Sequence, residues 1–544
     1  MSGRKQNRNF LMQATILAAA GIIVRIIGML YRSPLISIIG DEGNGYYSTA
    51  YNIYTMILLI SSYSIPTAVS KLISEKLALK QYKNAQRLFL CSLSYVIFAG
   101  GIGSLFTFFF SPALLKANPS AVLPLKILAP TIFASGILGV LRGYFQAYHT
   151  MVPTSISQII EQLVNAIVSI LAAWIFTHLP VVKADPSLIP IYGAAGGALG
   201  TGAGVLSGFA FLVFVYILNN WQIQNRILRD RKRPQAYKHL LKSIMYMVSP
   251  IIFATFIYNI STSLDMTIFY WVMDNREILH KESSIVYGIF AGKCMVLINI
   301  PVALASAVSS AMLPEISSKF IQGELDQARQ KISEAIHFTM LLAIPAALGL
   351  GVFARPVMQL LFPQKETLDM AASLLRMGCL NVIFYSLSTI SSSVLQGIGK
   401  VMVSVRNTAL ALFSHIILLL FLLLELHMKI EALMLATLLY TFILSVLNSL
   451  SVRQYLQNGQ DIKKVFLLPL FASVIMAALS FCLYTLLYSF IRSNFICLSI
   501  SIVFAVILYV FNLILMRGLE EHDLKRLPKG AVIIRWMKKL KLWA

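Results

Sequence analysis

Long apolar runs separated by short polar connections repeat along the whole chain. Each run is long enough for a helix to cross a bilayer core of about 30 Å, which takes roughly 20 apolar residues. The pattern therefore predicts an all-α integral membrane protein with about fourteen transmembrane helices. The predicted spans are 14–39, 45–69, 88–110, 121–147, 153–177, 191–218, 243–273, 285–313, 336–361, 367–395, 401–424, 430–450, 465–490 and 494–516.

The charges of the connections alternate from one connection to the next. Even-numbered connections and both ends of the chain are rich in Lys and Arg, whereas odd-numbered connections are poor in cations or mixed in sign. Cytoplasmic connections carry an excess of Lys and Arg, so we expect both termini to be cytoplasmic. The cations of that side are Arg4, Lys5, Arg8, Lys76, Lys80, Lys83, Arg87, Arg226, Arg229, Arg231, Lys232, Arg233, Lys319, Arg329, Lys331, Lys400, Arg406, Arg453, Lys463, Lys464 and those of 525–541.

Two short segments recur in the second half of the chain. Residues 66–73 resemble residues 314–321 at an offset of 248, and residues 145–148 resemble residues 395–398 at an offset of 250. Internal repeats are typical of transporters with two related lobes around a central cavity. We predict a six-helix N-lobe at 1–219, a basic cytoplasmic linker at 220–242, a six-helix C-lobe at 243–455, two further helices at 456–517 and a basic cytoplasmic tail at 518–544.

The composition argues against several other classes of protein. Only 12% of the residues are charged and 58% are hydrophobic, whereas about a quarter of a soluble domain is charged. The five cysteines lie in apolar runs without CxxC pairing, which favours neither disulfides nor a zinc site. The net charge of +23 lies mostly in the cytoplasmic connections, so we expect no nucleic-acid partner. We also expect no cofactor and no metal.

A glycine-rich stretch at 193–202 superficially resembles a phosphate-binding loop. It lacks the lysine and the preceding strand that such a loop requires. Its small residues instead predict close packing between helices. No connection is long enough to hold a catalytic domain, so the sequence favours a transporter over an enzyme.

Ionisable side chains inside the predicted spans mark the candidate functional residues. A charge at the centre of a span costs at least about 2.5 kcal/mol and usually faces a cavity or a partner. Five cations against two carboxylates favour an anionic cargo such as a phosphate or pyrophosphate, for which Arg offers bidentate donors. The residues are Arg25, Arg32, Arg142, Glu161, Asp265, Lys293 and Arg376.

These residues have different predicted roles. Arg25 and Arg32 are seven residues apart and so share a helix face, although Arg32 could also reach the membrane interface. Arg142 and Glu161, on adjacent spans, are interpreted as a structural ion pair. Asp265 could bind a coupling Na⁺ or proton, or pair with a nearby Arg.

Several segments resemble the polysaccharide-export and flippase branch of the multidrug, oligosaccharidyl-lipid and polysaccharide (MOP) exporter superfamily, in particular its stage V sporulation protein B-type and lipid II flippase groups. The resemblance rests on 25–28 (RIIG), on the repeated exits 66–71 and 314–319, and on 145–147. It implies a two-lobed flippase for undecaprenyl-pyrophosphate-linked sugars in the bacterial cytoplasmic membrane. It also implies a pyrophosphate cavity lined by Arg25, Arg32 and Lys293.

Our leading hypothesis is therefore a flippase whose partners are a lipid-linked glycan, membrane lipids and, for coupling, Na⁺ or H⁺ or the membrane potential. The first alternative is a drug or cation antiporter of the same superfamily, which would need carboxylates in its cavity. The second alternative is a membrane glycosyltransferase or polymerase, which would need larger loops outside the membrane.

Overall fold

The computed structural model describes residue 16 and residues 19–63, 65–148, 150–230, 232, 234–362, 364–457 and 461–516. Every regular element within these ranges is a helix, as the sequence predicts. The N-terminal cations Arg4, Lys5 and Arg8 and the predicted tail at 518–544 lie outside the described residues.

Contacts divide the chain into two compact units. The first consists of Met1–Val296 and Thr408–Leu433, and the second of Leu297–Asn407 and Met434–Ala544. These units do not follow the boundaries of the two predicted lobes, and the lobes stay a prediction from the internal repeat.

The first unit holds the helices of the N-terminal half of the chain and a wide turn of π-helical form, Ile289–Cys294. It also includes Thr408–Leu433, which takes in parts of two later helices. Its helices are α1 (Ala19–Leu30), α2 (Arg32–Leu58), α3 (Ile65–Ala78), α4 (Tyr82–Leu114), α5 (Val122–Ala147), α6 (Val152–Thr177), α7 (Pro180–Ala184), α8 (Ile189–Leu228), α9 (Tyr237–Asn275) and α10 (His280–Gly288).

The second unit holds most of the remaining helices, although α11, α16 and α17 each cross the boundary between the units. Its helices are α11 (Met295–Ile321), α12 (Leu325–Val352), α13 (Ala354–Leu361), α14 (Leu368–Gly378), α15 (Asn381–Gly397), α16 (Val401–Leu424), α17 (Glu431–Leu456), α18 (Leu468–Ile491) and α19 (Asn494–Leu515).

The described residues contain eleven helices that are long and apolar enough to cross a membrane. The number is twelve if α14 and α15, which are bent by 43° at a short break, form one span. The predicted count of fourteen is not confirmed. The eleven do not include α9, although its 39 residues would extend about 58 Å. The first predicted span appears as the short α1 followed by the start of α2.

Helices α6 and α8 pack closely through the glycine-rich stretch of α8. A β-carbon at Gly196 would lie 2.5 Å from the backbone nitrogen of Ala173, and one at Gly204 would lie 2.5 Å from the carbonyl oxygen of Glu161. Only glycine allows two backbones to approach this closely. The stretch is therefore a helix-packing surface, as its sequence predicts.

Buried polar side chains link the helices of the second unit. The Thr441 hydroxyl donates to Asn381 Oδ1 at 2.8 Å, and Asn407 Nδ2 donates to Asn448 Oδ1 at 3.0 Å. The Tyr509 hydroxyl donates to the carbonyl oxygen of Leu341 at 2.9 Å. Each bond satisfies a polar group that has no water partner in a bilayer core.

Candidate functional site

The segment between the first two predicted spans is buried rather than exposed as a loop. Gly40 has φ 70°, a left-handed conformation that glycine adopts readily, and it interrupts the helical geometry of α2. After this break, Asp41 and the run 43–50 are buried. The predicted connection at 40–44 is therefore largely packed inside the first unit.

Asp41 forms an ion pair with Lys293. Lys293 Nζ lies 2.5 Å from Asp41 Oδ1, and the two side chains are 1% and 6% exposed. The mutual attraction of two such buried charges offsets their desolvation only while both are present. Removing either partner would leave an uncompensated charge in the protein interior.

The wide turn Ile289–Cys294 positions Lys293. A π-helical turn inserts an extra residue into a helix and often occurs at functional sites. Arg32 lies against the same turn, with Nη1 3.5 Å from the carbonyl oxygen of Gly292. Its guanidinium group also lies 5.8 Å from the ring centroid of Tyr47, within the range of a cation–π interaction. The structure thus brings two predicted site residues, Arg32 and Lys293, to one place.

Helices α2 and α10 contact each other almost backbone to backbone beside this ion pair. A β-carbon at Gly45 would overlap the backbone carbonyl of Ser284, and one at Gly288 would lie 2.6 Å from the nitrogen of Gly45. Asn44 Nδ2 donates to the carbonyl oxygen of Gly288 at 2.8 Å. We call this contact, formed by Asn44, Gly45, Ser284 and Gly288, the α2–α10 seam.

Helix α1, which carries Arg25, continues almost without a break into α2, which begins at Arg32. Tyr31, which separates α1 from α2, donates its N–H to the carbonyl oxygen of Ile27, and its own carbonyl accepts from Leu35. The two arginines differ in environment, because Arg25 is exposed and Arg32 is half-buried.

Arg142 and Glu161 form an ion pair between α5 and α6. Arg142 Nη2 lies 2.5 Å from Glu161 Oε2, and Arg142 Nε donates to the hydroxyl of Ser157 at 3.0 Å. Both charged groups therefore have a partner within the first unit. Arg376 lies elsewhere, as an exposed residue of α14 in the second unit.

Asp265 pairs with a histidine rather than with an arginine. Its carboxylate is hydrogen-bonded to His415 Nε2, and the two side chains are 9% and 1% exposed. Histidine changes its charge near physiological pH, so a buried carboxylate–imidazole pair can bind and release a proton. The expectation of a nearby Arg as the partner is wrong.

Asn52 connects α2 to the helix that carries Asp265. The Ser263 hydroxyl donates to Asn52 Oδ1 at 3.0 Å, and Asn52 Nδ2 donates to the Tyr287 hydroxyl at 3.1 Å. The same Nδ2 lies 3.0 Å from the carbonyl oxygen of Thr262. Polar contacts therefore run from α9 through α2 to α10.

Sequence reasoning missed two residues of this site, Asp41 and His415. Asp41 follows the end of an apolar run, where a carboxylate is usually solvated. His415 is the sole ionisable residue of the mostly apolar stretch from 407 to 424. This was a usable signal, because ionisable residues in a span are rarely incidental. Within the ranges that the structure describes, no cluster of three or more His, Cys, Asp or Glu residues could hold a metal.

Together, the helical spans and the paired charges buried between them define the class of the protein, a polytopic membrane transporter. The chain belongs to the family described as Polysaccharide biosynthesis protein, whose sequence profile matches residues 10–320, and so to the MOP superfamily. A second profile, MatE, matches residues 291–421.

Two curated relatives from Bacillus subtilis (strain 168) match much of the chain. Stage V sporulation protein B is 24% identical over 537 residues, which cover 97% of this chain and 99% of that protein. Lipid II flippase MurJ is 25% identical over 404 residues, which cover 71% of this chain and 72% of that protein. Both relatives therefore align over most of their own length.

Solved structures show the same fold at low sequence identity. The inward closed conformation of lipid II flippase MurJ matches with a TM-score of 0.66 and 18% identity, covering 92% of this chain and 98% of that one. An inward-facing multidrug resistance MATE family transporter matches with a TM-score of 0.65 and 12% identity, covering 82% and 98%.

Proposed function

We propose that the protein is a flippase that moves undecaprenyl-pyrophosphate-linked sugars from the inner to the outer leaflet of the bacterial cytoplasmic membrane. The cargo is a lipid II-type peptidoglycan precursor or a related polysaccharide unit, and transport proceeds by alternating access with both termini in the cytoplasm. The name of the relative MurJ and the match to the fold of a solved lipid II flippase MurJ support this proposal. The protein acts as a transporter and needs no catalytic residue of its own.

The observation that carries the proposal is the buried Asp41–Lys293 ion pair with Arg32 beside it. A pyrophosphate group crossing a bilayer core needs cations at depth that can replace its water. Lys293 and Arg32 supply two such cations from different helices. In this structure the Lys293 ammonium group is paired with the Asp41 carboxylate and is almost completely buried.

Pyrophosphate and Asp41 therefore compete for Lys293. If the cargo takes Lys293, Asp41 loses its cation, and an unpaired carboxylate at that depth favours a conformation in which it regains water. Because Asp41 lies in the segment that forms the α2–α10 seam, this exchange couples cargo binding to the opening of the seam. Arg25, seven residues before Arg32 on α1, would provide a further cation for the pyrophosphate group.

The carboxylates at depth argue against the alternative of a cation or drug antiporter. Such a transporter needs an acidic group that is available to its cargo. Asp41, Glu161 and Asp265 each have a basic partner within the first unit. Arg32 lies beside Lys293 and contacts the carbonyl oxygen of Gly292, so its charge suits an anionic cargo.

We assign ion coupling to the pair formed by Asp265 and His415. A Na⁺ site needs several oxygen ligands, whereas the nearest partner of the Asp265 carboxylate is an imidazole nitrogen. We therefore assign a proton to this pair. Asn52 of α2 bonds to the Tyr287 hydroxyl and to the hydroxyl of Ser263, which lies two residues before Asp265 on α9.

Depletion of the protein in its host, with complementation by variants, tests the flippase. We expect depletion to make lipid II on intact cells inaccessible to an externally added cleaving enzyme while the precursor accumulates inside. The wild type should restore access, whereas Lys293→Gln and Arg32→Gln should restore at most about a tenth of it, as loss of a charge-assisted phosphate contact implies.

A double variant, Glu282→Gln with Lys429→Gln, is the matched control. It removes an ion pair of the same unit whose two side chains are about half exposed, and such pairs contribute little. It should restore access fully. If well-expressed, folded Lys293→Gln and Arg32→Gln proteins complement as well as this control, the pyrophosphate role of these residues is wrong.

A further inference from the structure

A cavity of about 600 Å³ lies where the end of α3 meets the start of α9. Lys76 lines it from the last turn of α3, and His239, Lys242 and Tyr246 line it from α9. The three α9 residues are spaced by three and four positions, so they project from one face of the helix. The cavity is therefore built by two segments that are far apart in the sequence.

The lining of this cavity is basic. It holds two lysines and a histidine, and none of its described lining residues is a carboxylate. Lys242 Nζ lies 5.7 Å from the ring centroid of Tyr246, which holds the ammonium group at the cavity wall. The Ser243 hydroxyl also lines the cavity, but it donates to the carbonyl oxygen of His239 at 3.0 Å. The two ammonium groups of this lining suit phosphate oxygens.

Hydrogen bonds to α4 hold the entry to α9 in place. The backbone N–H of Gln235 donates to Asn84 Oδ1 at 2.8 Å, and Arg87 Nη1 donates to the carbonyl oxygen of Gln235 at 2.7 Å. The Arg87 guanidinium also lies 4.8 Å from the ring centroid of Tyr237. The start of α9 is thus fixed next to α4, beside the end of α3 that lines the cavity.

Asp230 holds the start of the connection between α8 and α9, whose other end is the entry to α9. Its two carboxylate oxygens accept from the backbone N–H groups of Lys83 and Lys232, each at 2.9 Å. Lys83 lies in the first turn of α4, where N–H groups have no helical partner. Lys232 Nζ in turn donates to the carbonyl oxygen of Leu79 at 2.6 Å. We call the contacts of Asp230, Gln235, Asn84 and Arg87 the linker clamp.

We expect the cavity to lie at the level of the lipid headgroups. The distribution of Lys and Arg in the connections predicts that this end of α9 is cytoplasmic. Tyr246 is 73% exposed and Tyr237 is 52% exposed. Exposed tyrosines at the end of a span are typical of the membrane–water interface. A phosphate that occupies the cavity would therefore sit at the surface of the inner leaflet.

We infer that this cavity binds the diphosphate group of the lipid-linked carrier at the inner leaflet, before the carrier reaches Arg32 and Lys293. The inference rests on the proposed function, and it assigns a separate site and a separate step to Lys76, His239 and Lys242. Phosphate is the shared chemistry of three sources: the carrier, an anionic phospholipid and a soluble phosphate compound.

The first test measures binding of inorganic pyrophosphate to the purified protein in phosphatidylcholine nanodiscs. We expect saturable binding that the double variant Lys76→Gln, Lys242→Gln weakens at least about tenfold, because two charge-assisted contacts are lost. The matched control is Lys80→Gln, Lys238→Gln, which removes the same charge from neighbouring positions outside the lining. It should weaken binding less than about threefold. Equal loss in both double variants would show a diffuse basic surface and overturn the inference.

The second test distinguishes the sources of the phosphate. In nanodiscs that contain phosphatidylglycerol, unchanged pyrophosphate affinity is expected if the cavity selects a diphosphate. Loss of pyrophosphate binding in these nanodiscs would assign the cavity to a phospholipid headgroup instead and overturn the carrier assignment. Tighter binding of a soluble nucleoside diphosphate than of the purified lipid-linked carrier would overturn it as well.

The third test separates this step from the flippase itself. In proteoliposomes, Lys76→Gln, Lys242→Gln should raise the half-saturating concentration of the lipid-linked substrate about tenfold and leave the maximal rate within about twofold. Lys293→Gln should lower the maximal rate instead. An unchanged half-saturating concentration would refute carrier capture while the flippase stands. Absence of flipping by the wild type would refute the proposed function, and the pyrophosphate titration would still test the cavity.

Discussion

A β-carbon at Gly45 would overlap the backbone carbonyl of Ser284, so α2 and α10 meet at a point that admits only glycine. Gly45→Ala should therefore separate the α2–α10 seam at a cost of about 1–3 kcal/mol, the usual cost of overpacking. The thiol of Cys294, which is buried in the adjacent wide turn, should become reactive when the seam opens.

The measurement is the rate of maleimide labelling of Cys294 in membranes, quantified on the peptide by mass spectrometry. We expect Gly45→Ala to increase this rate several-fold. Gly349→Ala is the control, because a β-carbon at Gly349 would have no heavy atom within 4 Å. A labelling rate in Gly45→Ala equal to that of the control would mean that the seam does not shield Cys294.

The Asp41–Lys293 pair should respond differently to single and double substitution. Asp41→Asn or Lys293→Gln alone should reduce the free energy of unfolding by about 3–5 kcal/mol, because one buried charge is left alone. Replacing both residues with apolar ones, Asp41→Leu with Lys293→Met, should leave the stability nearly unchanged. The same double variant should nevertheless fail to flip cargo.

Denaturant titration of the purified variants in detergent, together with the lipid II accessibility assay, measures both effects. The comparison separates the effect of the substitutions on the free energy of unfolding from their effect on transport. A stable double variant that flips cargo at the wild-type rate would show that Lys293 contributes only to folding.

Proton coupling at Asp265 and His415 should be visible with imposed ion gradients. In proteoliposomes we expect a pH gradient to accelerate transport at constant Na⁺, and a Na⁺ gradient at constant pH to have no effect. Asp265→Asn should abolish the acceleration, and His415→Gln should reduce it at least about tenfold, because the imidazole that shares the proton is lost.

Glu161→Gln serves as the control for this experiment. Glu161 is a second carboxylate at depth, bound to Arg142. Its neutralisation should preserve the response to the pH gradient. Acceleration by Na⁺ alone would refute the assignment of a proton to Asp265.

The linker clamp predicts a pH dependence of stability. Burial by itself would raise the pKa of Asp230, but the N–H groups of Lys83 and Lys232 outweigh this effect and hold the pKa below its ordinary value. Asp230→Ala should cost about 0.5–2 kcal/mol at neutral pH, as the loss of a helix cap does. Asp326→Asn, at a side chain that is 94% exposed, should cost almost nothing.

The sign of the pH effect follows from the direction of this shift. A carboxyl group with a lowered pKa in the folded state stabilises the protein fully above its unfolded value of about 3.9. The stability difference between the wild type and Asp230→Ala should therefore be constant from about pH 5 to pH 8 and decrease as the pH falls below about 4. Thermal unfolding across this range measures it, and a difference that grows on acidification would contradict the assigned direction.

The sequence predicts the class of fold because the side chains that face lipid are apolar, and hydropathy measures this property. Apolar runs identify helices such as α4 and α18 within a few residues, although a short break such as that between α14 and α15 affects the count of spans. The ionisable residues of the spans were also visible, since each interrupts an apolar run.

The pairing of those residues was not predictable from the sequence. Asp41 is buried by α10 and the wide turn, which follow it by more than 200 residues. His415 meets Asp265 only because α16 contributes to the first unit. Hydropathy describes the environment of a helix as a whole, whereas these contacts depend on how distant helices pack.

The wide turn Ile289–Cys294 also affects how the sequence can be aligned with its relatives. A π-helical turn corresponds to one residue inserted into an α-helix, and each inserted residue rotates the following side chains by about 100°. Relatives that lack the insertion would present their cation one position away from Lys293 in an ungapped alignment. Equivalent cations of this helix should therefore be matched by superposition of structures, and a mismatch of one position in sequence is not evidence that the charge was lost in evolution.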